Sequence, residues 1–409
     1  MRVHSIRVFA AVLIAASLSA APDPSQASVA SGIKWLASTQ GPDGGWGQDG
    51  GATSHGRQGQ RQEANGNDVA NTASAVLALL HAGHSPTTGE HRSGVRRGVE
   101  FLLANVEKSR EEGLAITEIE GTQIQRKLGP YIDTFLTSML LSELDGQMGD
   151  HVLNRRVRAS LEKCVRKIEG AQLKDGSWNH SGGWAPILGT SMASRSLYQA
   201  KDKGVKVTAM AMDRVEVYTQ ANARQIVANA GTGGGVGSGS GGGSYRAGGV
   251  VGGVLGGIPG GVAGGVVGGI AGGRPLSVST AGAGVALYDR AQTLEQLSRT
   301  PADREKNAQA IKTIANEMAR PEVVAGFGSM GGEEYFSYLN VSDSLRRVGG
   351  ERWRKWNSEI KTKLVKLQNG DGTWAGHHCI TGRVAVTSAA ILTLTADRQP
   401  APAIVSQKR

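Results

Sequence analysis

Apolar positions recur at helical spacing along most of the chain. One set of segments carries a single apolar stripe at steps of three, four and seven. It includes Val29, Ile33 and Leu36; Val95, Val99, Leu102 and Val106; Val157, Leu161, Cys164 and Ile168. Ile311, Ile314 and Met318 form another such stripe, as do Trp353, Trp356, Ile360, Leu364 and Leu367, while Thr208 to Asn229 is less regular. Such stripes predict helices with one face inward and charges outward. A second set, Val69 to Leu80, Ile132 to Leu144, Gly189 to Gln199 and Val384 to Thr395, is apolar or small nearly all round. That pattern predicts helices buried on both sides. Ser279 to Leu297 and Glu334 to Arg347 complete this set with more polar residues. Alternation of the two kinds predicts six helix pairs, an outer layer around an inner one. No terminal unit reads as a polar cap, so the expectation is a closed ring rather than an open array.

A heptapeptide recurs between the helices of a pair. It reads QGPDGGW from Gln40, QLKDGSW from Gln172 and QNGDGTW from Gln368. These starts fit two and three units of roughly 65 residues, too short to bury a core alone. Asp-Gly predicts a turn. The Gln is expected to satisfy free N–H groups at a neighbouring helix start. The Trp is expected to bury its ring against the next unit while its N–H keeps a partner. The motif is therefore a staple between repeats and carries no chemistry.

Composition adds three features. The 409 residues include 60 Gly, concentrated in residues 231–273, where Gly at this density cannot hold a helix. This segment is expected to be a loop insertion in the fourth pair. The first residues place Arg2 and Arg7 around an uncharged apolar run, Val8 to Ala20, followed by small residues. Residues 1–27 thus read as a secretory signal with cleavage after Ala21 or Ala27. The apolar run is too short to span a membrane, so the mature chain is expected to lack a transmembrane helix. Residues 28–396 form the ring domain, and 397–409 are expected to be a disordered tail. Export makes the protein periplasmic or extracellular.

The formal net charge is +10. The cations fall on helical segments, among them Arg155, Arg156, Arg158, Arg166 and Lys167, then Arg346, Arg347, Arg352, Arg354, Lys355, Lys361 and Lys363. They read as a solvated outer face, or as an attraction to anionic envelope polymers or lipid headgroups. Aromatics are only 5% of the chain; nucleic-acid binding lacks an aromatic platform or a known module. Of the two Cys, Cys164 lies on an apolar stripe and reads as a core residue.

With six pairs and three staples, the chain resembles the prenyltransferase and squalene-cyclase repeat superfamily. Gly241 to Arg246 is similar to the family's Gly-Gly-Phe-x-Tyr-Arg segment, and Gly349-Gly350 with Trp353, Trp356 and Asn357 resembles the opening of the last repeat. Within the superfamily the chain is most similar to secreted bacterial members without a clear assigned reaction. The segments carrying this are Phe327 to Glu334 and Gly376 to Gly382. The resemblance implies an all-α fold, an α6/α6 toroid.

The family's chemistries find little purchase. Cyclases protonate an alkene with an Asp-x-Asp-Asp cluster. Here Asn67-Asp68-Val69 and Tyr131-Ile132-Asp133-Thr134 each offer one carboxylate, which suits a helix cap. Protein prenyltransferases use zinc held in part by Asp-x-Cys, but Gly332 to Phe336 has no Cys. The thioester sequence Gly-Cys-Gly-Glu-Gln of complement-like toroids does not occur.

One constellation remains. Glu333 and Glu334 open the fifth inner helix, and His377, His378 and Cys379 precede the sixth. Ring closure would bring these starts to one rim, with Asp68 and Asp133 pointing there too. Glu333, Glu334, His377 and His378 are the candidate acid–base groups. His377, His378, Cys379 and Glu333 form a set able to ligate zinc or another divalent metal. Asp68, Asp133, Tyr245 and Arg246 are candidate ligand-binding residues, the last two for an anion. The plain alternative is that these groups satisfy helix ends. The leading functional reading is a non-catalytic binding or scaffold protein of the cell envelope, with a polymer, lipid or protein partner. The other is an enzyme acting on an isoprenoid or glycan through the rim. His55 and His180 belong to the same loop system.

Overall fold

The computed structural model describes residues 23–49, 66–178, 186–231, 290–318, 331–376 and 380–398. Described residues are helical or irregular, apart from one isolated bridge between Trp46 and Asp68. The predicted outer helices are α1 (Pro24–Ser38), α3 (Arg92–Lys108), α6 (His151–Gly170), α8 (Ala209–Gly231), α11 (Ala308–Met318) and α13 (Gly350–Leu367). Their inner partners are α2 (Val69–His81), α5 (Ile132–Leu144), α7 (Pro186–Asp202), α9 (described over 290–297), α12 (Glu333–Val348) and α14 (Arg383–Leu394). The sequence pattern does not predict α4 (Gln123–Leu128) or α10 (Pro301–Lys306). A 3-10 turn, Ala396–Arg398, enters the segment expected to be tail. Lys361 of α13 holds it through Asp397 at 2.7 Å.

The staples repeat atom for atom. Each Trp indole donates to the outer helix of its own pair: Trp46 to Leu36 O, Trp178 to Ile168 O and Trp374 to Leu364 O, at 2.7–2.8 Å. Each Trp backbone N–H donates to a Thr of the inner helix (Thr72, Thr190, Thr387) at 2.9–3.0 Å. The Asp of each turn accepts from the N–H two residues on. Gly44, Gly176 and Gly372 have φ of 88°, 89° and 86°, and a side chain there would strike a backbone carbonyl of the next outer helix.

The Gln corrects the expectation. Its Nε2 donates to a carbonyl of the next outer helix or its approach, instead of its oxygen accepting from a helix start. Gln40 reaches Gly94 O at 2.9 Å, Gln172 reaches Ala211 O at 3.1 Å, and Gln368 reaches Ser28 O at 2.8 Å. The last of these joins the sixth pair to the first. Contacts then run unbroken around both layers. In the outer layer they pass from α1 through α3, α6, α8, α11 and α13 back to α1. In the inner layer α2, α5 and α7 pack in order, and Gln296 Nε2 of α9 donates to Ser194 Oγ of α7 at 2.7 Å. Ser344 Oγ of α12 donates to Ala291 O of α9 at 2.7 Å, and α14 packs on both α12 and α2.

The basic segments are not all outer face. Lys163 and Lys167 are buried, and their ammonium groups donate to carbonyls of the 109–115 loop. Arg346 and Arg347 lie in the last turn of an inner helix. Cys164 is buried as expected and unbridged; burial pushes its thiol up to about 12, out of reach of thiolate chemistry. Among the described residues no helix is long and apolar enough to cross a membrane.

Candidate functional site

The N-terminal ends of α2, α5, α12 and α14 meet at one rim, where α4 acts as a clip. Thr122 and Gln125 form a capping box that starts α4. Gln123, the first residue of α4, accepts at Oε1 from the N–H groups of Thr381 and Gly382, both at 3.0 Å, just before α14. Gln48 accepts from Gln123 N through Oε1 and from Val384 N through its carbonyl. Otherwise free N–H groups at the start of the last inner helix are thus met by residues from the first two pairs.

Asp68 and Asp133 are brought together. Asp68 caps α2, accepting from Asn71 N at 2.9 Å and Asn71 Nδ2 at 2.7 Å. Asp133 does not cap its own helix. It accepts from Ala70 N of α2 at 3.1 Å and from Gln125 Nε2 at 2.8 Å. The Ala70 N–H acts on both carboxylates, so they converge on one donor. Both are buried. Burial pushes Asp68 up to about 6; burial and then the Asp68 charge push Asp133 up to about 7.

These shifts predict a pH dependence of opposite sign to that of a paired carboxylate. Folded values above the usual carboxylate range mean that the stabilising contribution is complete below about pH 4 and is lost as pH rises through 6 to 7. Between those limits the pair should lose several kcal/mol of stability, and Asp133→Asn should flatten the slope. Urea unfolding at pH 4.5 and 8 checks this; a wild-type slope unchanged in Asp133→Asn would contradict it.

Glu333 and Glu334 open α12 as expected, and both are buried. Glu334 accepts from the Tyr338 hydroxyl at 3.0 Å, and that oxygen also accepts from Lys363 Nζ of α13 at 2.6 Å. Burial holds the Lys363 ammonium below the usual lysine range, against the pull of Glu334. Burial and then Glu334 push Tyr335 up to about 12. Glu334 thus ties the inner layer to the outer one. The Glu333 carboxylate lies over Gly331. Gly332 packs so closely on Ile380 O, and Gly376 on Gly332 N, that no side chain fits at either glycine. The starts of the fifth and sixth inner helices therefore lie side by side. His377, His378 and Cys379, and likewise Tyr245, Arg246, His55 and His180, lie outside the described residues. Among the described residues no three His, Cys, Asp or Glu side chains are grouped to hold a metal.

The sequence reading missed a second polar cluster in the inner layer. Arg195 of α7 is buried and donates to Glu295 of α9, most closely at 2.6 Å. It also reaches Asp343 at 2.5 Å and Asn340 Oδ1 at 3.1 Å, both on α12. Arg299 and Arg347 approach Glu295 at 3.3 and 3.5 Å. Burial would raise the Glu295 carboxyl, but Arg195, Arg299 and Arg347 outweigh it and hold it down at about 2. At the C-terminal ends of α2 and α5, His81 pairs with Glu143 at 3.0 Å. The available signal was an Arg in a segment, Gly189 to Gln199, otherwise built mostly of small and apolar residues; Glu295 lies among other polar residues and gave none.

Residues 6–121 match the family model of the squalene-hopene cyclase C-terminal domain. No curated protein matches the chain, and no solved structure does. The matched segment holds the first staple, Gln40 to Trp46, whose bonding pattern recurs in the second and third. The match supports membership of the prenyltransferase and squalene-cyclase repeat superfamily.

Proposed function

We propose that this protein is an exported, non-catalytic binding or scaffold component of the cell envelope, using the rim and interior of its ring as the contact surface. One observation carries the reading: three of the described rim carboxylates are spent on holding helices. Asp68 caps α2, Asp133 bonds α2 to α5, and Glu334 bonds α12 to α13 through Tyr338. A general acid or base must reach its substrate, and each of these residues is at most 5% exposed. Export rests on the apolar run that follows Arg7. Cleavage after Ala21 fits better than cleavage after Ala27. It leaves Asp23 to cap α1 and to approach Lys361 at 3.6 Å, whereas the later cut removes the first turn of α1. The positive charge suits an anionic envelope polymer or lipid surface.

The alternative, an enzyme acting on an isoprenoid or glycan, draws on the raised Asp133, which holds a proton near neutral pH. Metal analysis of the full chain separates the readings, beside variants at His377, His378 and Glu333. The binding reading expects no stoichiometric metal and no loss of stability with chelator. One equivalent of zinc in the wild type, lost in His377→Ala, would turn the proposal towards the enzyme.

A further inference from the structure

We infer that the inner layer holds an oxyanion-binding site at the Arg195 cluster, suited to a carboxylate or phosphate group. The inference goes beyond the rim reading and holds for a catalytic or a non-catalytic ring alike. It starts from charge. Arg195, Arg299, Arg346 and Arg347 gather around Glu295 and Asp343, four guanidiniums to two carboxylates. The nearby His81 and Glu143 add one base and one acid, so the excess stays positive. The C-terminus of α12 offsets about half a charge. Burial, and the neighbouring Arg347 and Arg195, hold Arg346 below the usual arginine range. Burial brings Arg299 to about 10. The cations still crowd one another.

Unused hydrogen-bonding capacity lies on the same helix faces. Gln199 follows Arg195 by one helical turn, Gln292 precedes Glu295 by one, and Asn340 precedes Asp343 by one. Gln199 Oε1, Gln292 Oε1 and Asn340 Nδ2 are buried and have no hydrogen-bond partner among the described groups. Asn340 itself is 4% exposed, and its oxygen already accepts from Arg195, so its idle amine sits on the same amide that borders the cluster. A buried donor without a partner forfeits its hydration with nothing in return. The ion pairs account for Arg195, Glu295 and Asp343 and leave the Asn340 amine unexplained. An oxyanion would accept from it and from guanidinium N–H groups through charge-assisted bonds. A hydroxyl on the same ligand could donate to Gln292.

Calorimetric titration of the full chain with inorganic phosphate and with succinate, at ionic strength matched by sodium chloride, tests this. Wild type should bind at least one of the two saturably, and which one it binds assigns the ligand class. Asn340→Asp keeps the oxygen that pairs with Arg195 and replaces the donor by a negative charge; it should weaken binding tenfold or more, as should Arg346→Gln. Arg156→Gln, on the outer surface, should leave binding unchanged. Circular dichroism and unfolding midpoints establish that each variant is folded. No saturable binding of either anion by wild type, or a loss below tenfold in both cluster variants, would overturn the inference.

Discussion

Arg195→Met is expected to destabilise the ring by about 3–5 kcal/mol, the usual consequence of removing one partner from a buried ion pair. Glu295 is fully buried, and its carboxylate takes three of its closest contacts from Arg195, at 3.2, 3.2 and 2.6 Å. Arg299 and Arg347 approach Glu295 but do not replace those bonds. Asp343 and Asn340 lose their donor in the same step. The loss also has a pH signature. The depressed Glu295 contributes stability that is complete above about pH 4.5 and fades as pH falls towards about 2. In Arg195→Met that acid-side fall should shrink. A denaturant midpoint within about 0.5 kcal/mol of wild type, the scale of an ordinary surface substitution, would show that the cluster does not hold α7, α9 and α12 together.

The second large effect is expected from Trp374→Ala, at about 3–5 kcal/mol for a buried aromatic. Trp374 is fully buried and donates to Leu364 O at 2.7 Å. Its ring lies against Gly32 of α1, where an added side chain would meet it at 3.0 Å. Trp46 packs on Gly98 of α3 in the same way, so Trp46→Ala should lose a similar amount. The consequences differ in place. Trp46 joins neighbours along the chain, whereas Trp374 joins its two ends. Each Trp also bonds the outer helix of its own pair, so hydrogen exchange should accelerate in α13 and α1 for Trp374→Ala and in α1 and α3 for Trp46→Ala. Unchanged exchange in α1 for Trp374→Ala would contradict the closing role of the third staple.

The staples were legible because their chemistry is local. Asp-Gly makes its turn within four residues, and the indole finds a carbonyl ten residues back. The Gln was misread because its partner belongs to the next unit, 54 residues away for Gln40. Arg346 and Arg347 were assigned to the surface because a basic run says nothing of which layer its helix occupies. Six residues are too few for α4 to show a period, although Thr122-x-x-Gln125 was a usable start signal. Repeat phase placed Asp68 and Asp133 at one rim. It could not show that Asp133 spends its oxygens on Ala70 and Gln125, because those bonds depend on how neighbouring pairs dock. Arg195 and Glu295 lie 100 residues apart, and their pairing follows only from the inner packing.

Closure is tested most directly by a distance between the two ends. Spin labels at Lys34 of α1 and Lys366 of α13, both exposed, would be read by pulsed electron resonance after Cys164→Ala and Cys379→Ser. The ring predicts one narrow distribution of short distances, as neighbouring helices with axes about 8–10 Å apart require. A broad distribution, or one centred on a separation spanning several helix pairs, would contradict it.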